Sequence, residues 1–194
     1  LSSPDLHPEG QFLPDTYHFP RGTTDRDVLA RAHEALVDVL EESWEARSDA
    51  IAVDTAYEAL ILASIIEKET GLASERRQIG GVFSRRLRRG MRLQADPTVI
   101  YGLGETWDGD IRNRDLQTDT PYNTYTRAGL PPTPIALAGR AAIAAAVDPA
   151  GGDSLYFVAT GESDRSHYFS ATLEEHNAAV QRYLRRLRER SAAQ

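Results

Sequence analysis

Between residues 59 and 66 the chain reads ALILASII, a run with no charged side chain that stops at Glu67-Lys68-Glu69. A helix that is apolar all round has no face to offer water, so it must be enclosed by the rest of the fold. It therefore marks the centre of the molecule and delivers its terminal carboxylates to whatever opening the core leaves. Burial disfavours the charged form of a carboxyl group, which can then keep a proton near neutral pH. Glu67 and Glu69 are two residues apart, about 200° around a helix, so only one can face a given cleft. One turn before Glu67 stand the small Ala63 and Ser64, which leave room for a ligand. One turn before Glu69 stand Ile65 and Ile66, which call for protein packing. The space argument favours Glu67, with Ser64 beside it, and leaves Glu69 as the rival or as a substrate-orienting group; the plainer reading makes both solvated acids at a helix end.

With 194 residues, 41% hydrophobic and 26% charged, the chain is long enough for one sizeable core. Four of its ten prolines fall within residues 1–23, which read as an extended lead-in. Residues 24–47 read as a helix opened by Thr24 and Asp27, with a stripe of Val28, Leu29, Ala32, Leu36 and Leu40. The apolar helix starts near Asp54 or Thr55 and stops at Gly71, and a third helix covers residues 74–89 up to Gly90. Residues 91–104 change character, with turn formers beside β-branched residues. Residues 106–134 form a long polar irregular segment of the kind usually reserved for function. An alanine-rich helix over 138–147, a hairpin of 155–159 with 167–170, and a last helix opened by Thr172 and Glu175 complete the reading. Val180, Tyr183, Leu184 and Leu187 are its inward face. The fold class is α+β, helix-dominated, with a small β element, and residues 24–194 form one catalytic unit.

Several chemistries are excluded. A net charge of −7 argues against nucleic acid, and the clusters Arg85, Arg86, Arg88, Arg89 and Arg182, Arg185, Arg186, Arg188 read as solvated helix faces. The absence of cysteine removes thiolate zinc sites and thiol nucleophiles. The five histidines show no metal-ligand spacing, and no serine-hydrolase or phosphate-loop motif is present, so neither metal nor cofactor is expected. No apolar run reaches the ~18–20 residues of a membrane helix. Because the chain starts at Leu1 without methionine, its natural N-terminus, with any anchor, is expected to have been removed.

Two further groups of residues suit a sugar ligand. Gln94, Asp96, Thr98 and Tyr101 lie in QADPTVIYG, where Pro97 is expected to hold Asp96 extended; an ordinary Asp-Pro turn explains the motif equally well. Tyr122, Asn123 and Tyr125 lie in PYNTYT, where aromatic faces and amides match the C–H faces and hydroxyls of pyranose rings. Core tyrosines are the plainer alternative.

These stretches, together with EGQFLPDTYHF at 9–19, LASIIEKETG at 62–71, GVFSRRLRRGMRLQADPTVIYGLG at 81–104, PYNTYTRAGLPPTPIALAG at 121–139, LYFVATG and HYFSATLEEHN, strongly resemble the YceG-like family of endolytic murein transglycosylases. The resemblance covers nearly the whole chain in order. It implies a lysozyme-like, transglycosylase-type catalytic domain whose cytoplasmic tail, membrane helix and LysM-like subdomain are absent, with residues 1–23 leading in from that missing part. It implies cleavage of the β-1,4 bond between N-acetylmuramic acid and N-acetylglucosamine in nascent glycan, outside the cytoplasmic membrane and without water, leaving 1,6-anhydromuramoyl ends. The glutamate of IIEKET falls, on this reading, on Glu67, with Asp96 orienting sugar or acid. Peptidoglycan synthases, the penicillin-binding proteins, are the implied partners. A water-using muramidase and a catalytically silent glycan-binding module of wall-synthesis complexes are the alternatives.

Overall fold

The computed structural model describes the backbone of residues 8–192; the first seven residues of the lead-in lie outside the described residues. The order is α1 (Asp25–Glu45), α2 (Ala56–Glu69), α3 (Arg76–Arg88), α4 (Asp96–Leu103), α5 (Asn113–Gln117), α6 (Arg140–Val147), β1 (Tyr156–Ala159), β2 (His167–Ser170) and α7 (Leu173–Ala192). It is a helix-dominated α+β fold with one two-stranded sheet.

The centre is α2. Every residue from Ala59 to Ile66 is buried, and α1, α3, α4 and α6 all pack against this helix. Thr55 starts it with a capping box, its hydroxyl accepting from the Glu58 N–H while Glu58 accepts from the backbone N–H of Thr55. It ends where Gly71 suggests: Glu69 is the last helical residue, Thr70 is an extended C-cap at φ −142°, and Gly71 follows it. Gly80 lets α3 and α6 touch, since a Cβ there would stand 2.4 Å from the carbonyl oxygen of Ala145. Within the lead-in, Leu13 enters the core and donates its N–H to the Ala32 carbonyl on α1.

Residues 91–104 are not merely turns. Met91 to Ala95 are an irregular connection, and Asp96 opens α4 with Pro97 in its first turn. The expectation that proline holds Asp96 extended is corrected: proline is well suited to a helix start because the N–H it lacks would be unpaired there. The extended residue is Ala95, which is the N-cap, where non-helical backbone is ordinary.

The hairpin is antiparallel, pairing Tyr156 with Ser170 and Ala159 with His167. Phe157 and Phe169 fall on one face, and Phe157 meets the core through an edge contact with Phe83 at 5.8 Å. The other face meets α7, where Tyr156 stacks on His176 and Arg182 lies over Tyr168. The expected inward face of α7 is only partly realised: Ala179 is buried, whereas Leu184 and Leu187 are exposed. The short hairpin is too narrow to cover the far half of a 20-residue helix.

Candidate active site

The two glutamates at the end of α2 have different surroundings. Side chains on a helix lie over the preceding turn, so Glu69 continues the line of Ile65 and Ile66, both 0% exposed. Beyond the helix end this line opens into a cavity of about 450 Å³ between α2, α4, the hairpin and the start of α7. Glu69 lines it with Arg86, Gln94, Asp96, Tyr125, Tyr156, His167 and His176. Desolvation first, and the nearby Asp96 second, push the Glu69 carboxyl up to about 8, against a smaller opposing effect of Arg86.

Glu67 is spent elsewhere. Its Oε2 accepts the backbone N–H of Gly139 at 3.1 Å, and its Oε1 lies 3.6 Å from an Arg76 nitrogen. The room left by Ala63 and Ser64 is occupied by the segment entering α6: Ser64 is fully buried, donates to the Ile61 carbonyl and accepts the Ile135 N–H. Small side chains there admit backbone: Ser64 is enclosed by the segment entering α6, and Glu67 faces the Gly139 N–H and Arg76 and does not line this cavity.

The QADPT segment divides. Gln94 and Asp96 face the cavity. Gln94 has φ 51°, the left-handed region that a residue with a Cβ enters at a cost. It is held by Gln94 N–H to the Thr124 carbonyl and Ala95 N–H to the Thr124 hydroxyl. Asp96 Oδ1 accepts the Tyr125 hydroxyl at 2.5 Å, and Tyr125, deprived of water and facing Asp96, is held above its usual range. Thr98, by contrast, is fully buried, its hydroxyl bonded to the Ala95 carbonyl and the Thr124 hydroxyl.

Of the PYNTYT side chains, only Tyr125 lines this cavity. Asn123 is 1% exposed; its amide donates to the carbonyls of Asp115, Leu116 and Thr118, and its Oδ1 accepts the Tyr125 N–H. It is the peg that orders the long polar segment and so places Tyr125. Tyr101 and Tyr122 form an edge contact at 4.7 Å, and the Tyr122 hydroxyl bonds the Thr133 hydroxyl, away from Glu69. Thr98, Tyr101, Tyr122 and Asn123 thus build the wall and do not face this cavity.

Arg86 also departs from its expected solvated face. It is 7% exposed, donates to the carbonyls of Leu155, Leu93 and Arg92, and lies 5.1 Å from the Tyr156 ring centre. Its guanidinium joins the hairpin to the segment carrying Gln94, and three carbonyls offset the burial of its charge. Arg85 is also drawn in, donating to the Ser154 and Ala150 carbonyls, while Arg88 and Arg89 stay exposed; charge pattern alone does not distinguish the two kinds of position.

His167 was likewise unremarked. Its Nδ1 pairs with Glu75 Oε2 at 2.7 Å, and its backbone N–H donates to Glu75 Oε1 at 2.9 Å. Glu75 fixes this imidazole at the edge of the cavity and ties β2 to the 3-10 turn Ala73–Glu75. His176, stacked on Tyr156 at 5.2 Å, has its basicity lowered by burial and by Arg86. Among the described residues, no group of three or more His, Asp or Glu could hold a metal ion, and no helix is long and apolar enough to cross a membrane.

Chemically, the cavity offers one carboxyl group whose burial favours the protonated form, a second that accepts from a phenol, an amide and several aromatic walls. That set can donate a proton to an ether oxygen and hold hydroxylated rings. Comparisons with known proteins agree in kind. The YceG-like family model matches residues 2–182. The endolytic murein transglycosylase of Bacillus subtilis is 37% identical over 179 residues, covering 92% of this chain and 49% of that protein. The endolytic murein transglycosylase of Streptococcus pneumoniae is 30% identical over 177 residues, 89% of this chain and 31% of the relative. A crystal structure of a YceG-like protein from Listeria monocytogenes superposes with a TM-score of 0.74 at 38% identity, covering 87% of this chain and 54% of that one. This chain spans about half the length of the Bacillus relative and less than a third of the length of the Streptococcus one. With the match running through almost every element around the cavity, the chain belongs to the YceG-like family.

Proposed function

We propose that this chain is the catalytic part of an endolytic peptidoglycan lytic transglycosylase, and that Glu69 is its acid. The observation that carries the reading is a carboxyl group pushed up to about 8 at the head of a cavity lined for sugar. Such a group is protonated at neutral pH and can act as a general acid. Glu69 gives its proton to the glycosidic oxygen as the bond from muramoyl C1 to that oxygen breaks. The muramoyl C6 hydroxyl then attacks C1, and its proton passes to the Glu69 carboxylate. The new 1,6-anhydro bond replaces the old one, no water is consumed, and Glu69 ends as it began. Asp96, held by Tyr125, and Gln94 orient the sugar, and the Asp96 charge helps keep the proton on Glu69.

A hydrolase with two carboxylates would use the second as nucleophile or as base for water. Asp96 is committed to the Tyr125 hydroxyl, which supports the single-acid route. The names of the relatives support murein, the glycan of peptidoglycan, as the substrate; action on its nascent strands, outside the cytoplasmic membrane, is part of the proposal. Membrane anchoring through a preceding segment and cooperation with peptidoglycan synthases belong to the same reading.

The test is the mass of products from uncrosslinked glycan. Wild type yields anhydromuramoyl ends, Glu69→Gln yields none while keeping its fold, and Glu67→Gln retains measurable turnover. Products heavier by one water would replace the lytic route with hydrolysis. Full activity in Glu69→Gln would overturn the assignment.

A further inference from the structure

A second cavity, of about 360 Å³, meets the first at Glu69, Ala159 and His167. It runs from Thr70 and Gly71 past the hairpin turn to the outer half of α7, with Tyr183 and Leu187 as one wall. Its charged lining differs from that of the first. Arg165 and Arg190 face it, and among the described residues neither forms an ion pair. Glu162, the acid at its rim, is taken by Arg186 at 2.7 Å, and His167 is taken up by Glu75 at 2.7 Å. Arg165 stands at φ 59°, a left-handed conformation in the hairpin turn. Ser166 N–H donates to Asp164 and Arg165 N–H to the Glu162 carbonyl in that turn. A residue with a Cβ adopts this conformation at a cost, and here it presents a cation to the cavity. Beside Gly71 a Cβ would meet nothing within 4 Å, so the floor is open.

We propose that this second cavity binds the carboxylates of the peptide carried by the muramoyl residue, with Arg165 and Arg190 as the anion-binding side chains. The inference rests on the reaction assigned above. If C1 of a muramoyl unit sits at Glu69, the lactyl ether on C3 of the same ring starts its peptide within a few ångströms of that carboxyl. Three arms then leave the reacting ring, two of glycan and one of peptide. The first cavity, with its amide, carboxylate and aromatic rings, suits hydroxylated sugar. The second, with two guanidinium groups beside an apolar wall, suits an acidic peptide. A chain with a net charge of −7 repels such a peptide at long range, so a local cationic pair is needed to accept it.

The experiment uses this 194-residue chain, a labelled soluble stem peptide, and uncrosslinked glycan with its peptides intact or removed by an amidase. Wild type binds the labelled peptide, and Arg165→Gln/Arg190→Gln weakens binding about tenfold, whereas Arg188→Gln, outside the cavity on the same helix, leaves it unchanged. In turnover, the preference for peptide-bearing over stripped glycan falls about tenfold in the double variant. Equal loss on both glycans, with peptide binding intact, would make the cavity a glycan subsite and overturn the proposal. So would an effect of Arg188→Gln equal to that of the double variant. Failure of wild type to form anhydromuramoyl ends would sink the assigned reaction alone, because the peptide-binding measurement reports on this cavity without turnover.

Discussion

Replacing Glu69 with glutamine should stabilise the fold while removing the reaction, and the gain should depend on pH. In the folded state the carboxyl rises from an ordinary 4.5 to about 8. Between those values the folded chain keeps a proton that the unfolded chain releases, so wild-type stability falls as pH rises through this window. Each tenfold in proton affinity is about 1.4 kcal/mol, giving a cost of about 3 kcal/mol at pH 7. Glu69 is partly open to the cavity, and solvent reduces the effect to about 2 kcal/mol. Glutamine keeps the shape and has no such proton to release. Urea unfolding of the two chains at pH 4, 5.5, 7 and 8.5 should therefore give curves that nearly coincide at pH 4. They should separate steadily up to pH 8 and stay parallel beyond it. A difference that is constant with pH, or a wild type more stable than the variant at pH 7, would refute the desolvated acid. Glu67→Gln is the control. It weakens the contacts to Arg76 and the Gly139 N–H and should lower stability by about 1 kcal/mol.

Two other outcomes test the surroundings of the site. Activity should decline as pH rises through about 8, as Glu69 loses its proton. In Asp96→Asn this basic limb should move to lower pH, because a neighbouring negative charge is lost; a pH–rate profile on soluble glycan reads it, and an unmoved limb would detach Asp96 from Glu69. Gly80→Ala drives a methyl group against the Ala145 carbonyl, so α3 and α6 must separate at a cost of about 2 kcal/mol or more. Thermal unfolding checks it, and an unchanged midpoint would show that the helices yield freely.

The sequence carried most of the fold because local chemistry set it. The capping pairs Thr24–Asp27 and Thr172–Glu175 start their helices where the residues stand. A helix without charges over Ala59–Ile66 could only be central. Period-two apolar residues gave the hairpin its Phe157–Phe169 face. Gln94, Asp96 and Tyr125, picked out because amides, acids and aromatic rings in a polar segment suit sugar, do line the cavity.

The choice between Glu67 and Glu69 was of another kind. Helix geometry alone says that the two point apart; it does not say what fills the space before each. Only packing decided that the segment entering α6 closes over Ser64 and Glu67, donating the Ile135 and Gly139 N–H groups to them. Only packing set the hairpin and α4 around Glu69 so as to strip its carboxyl of water. The same holds for Arg86 and His167, whose placement depends on the Leu155 carbonyl 69 residues away and the Glu75 carboxylate 92 residues away. The sequence by itself determined that a carboxyl group ends a buried helix in a chain of this family. Which carboxyl meets the cavity, and in what charge state, follows from long-range contacts that no local pattern encodes.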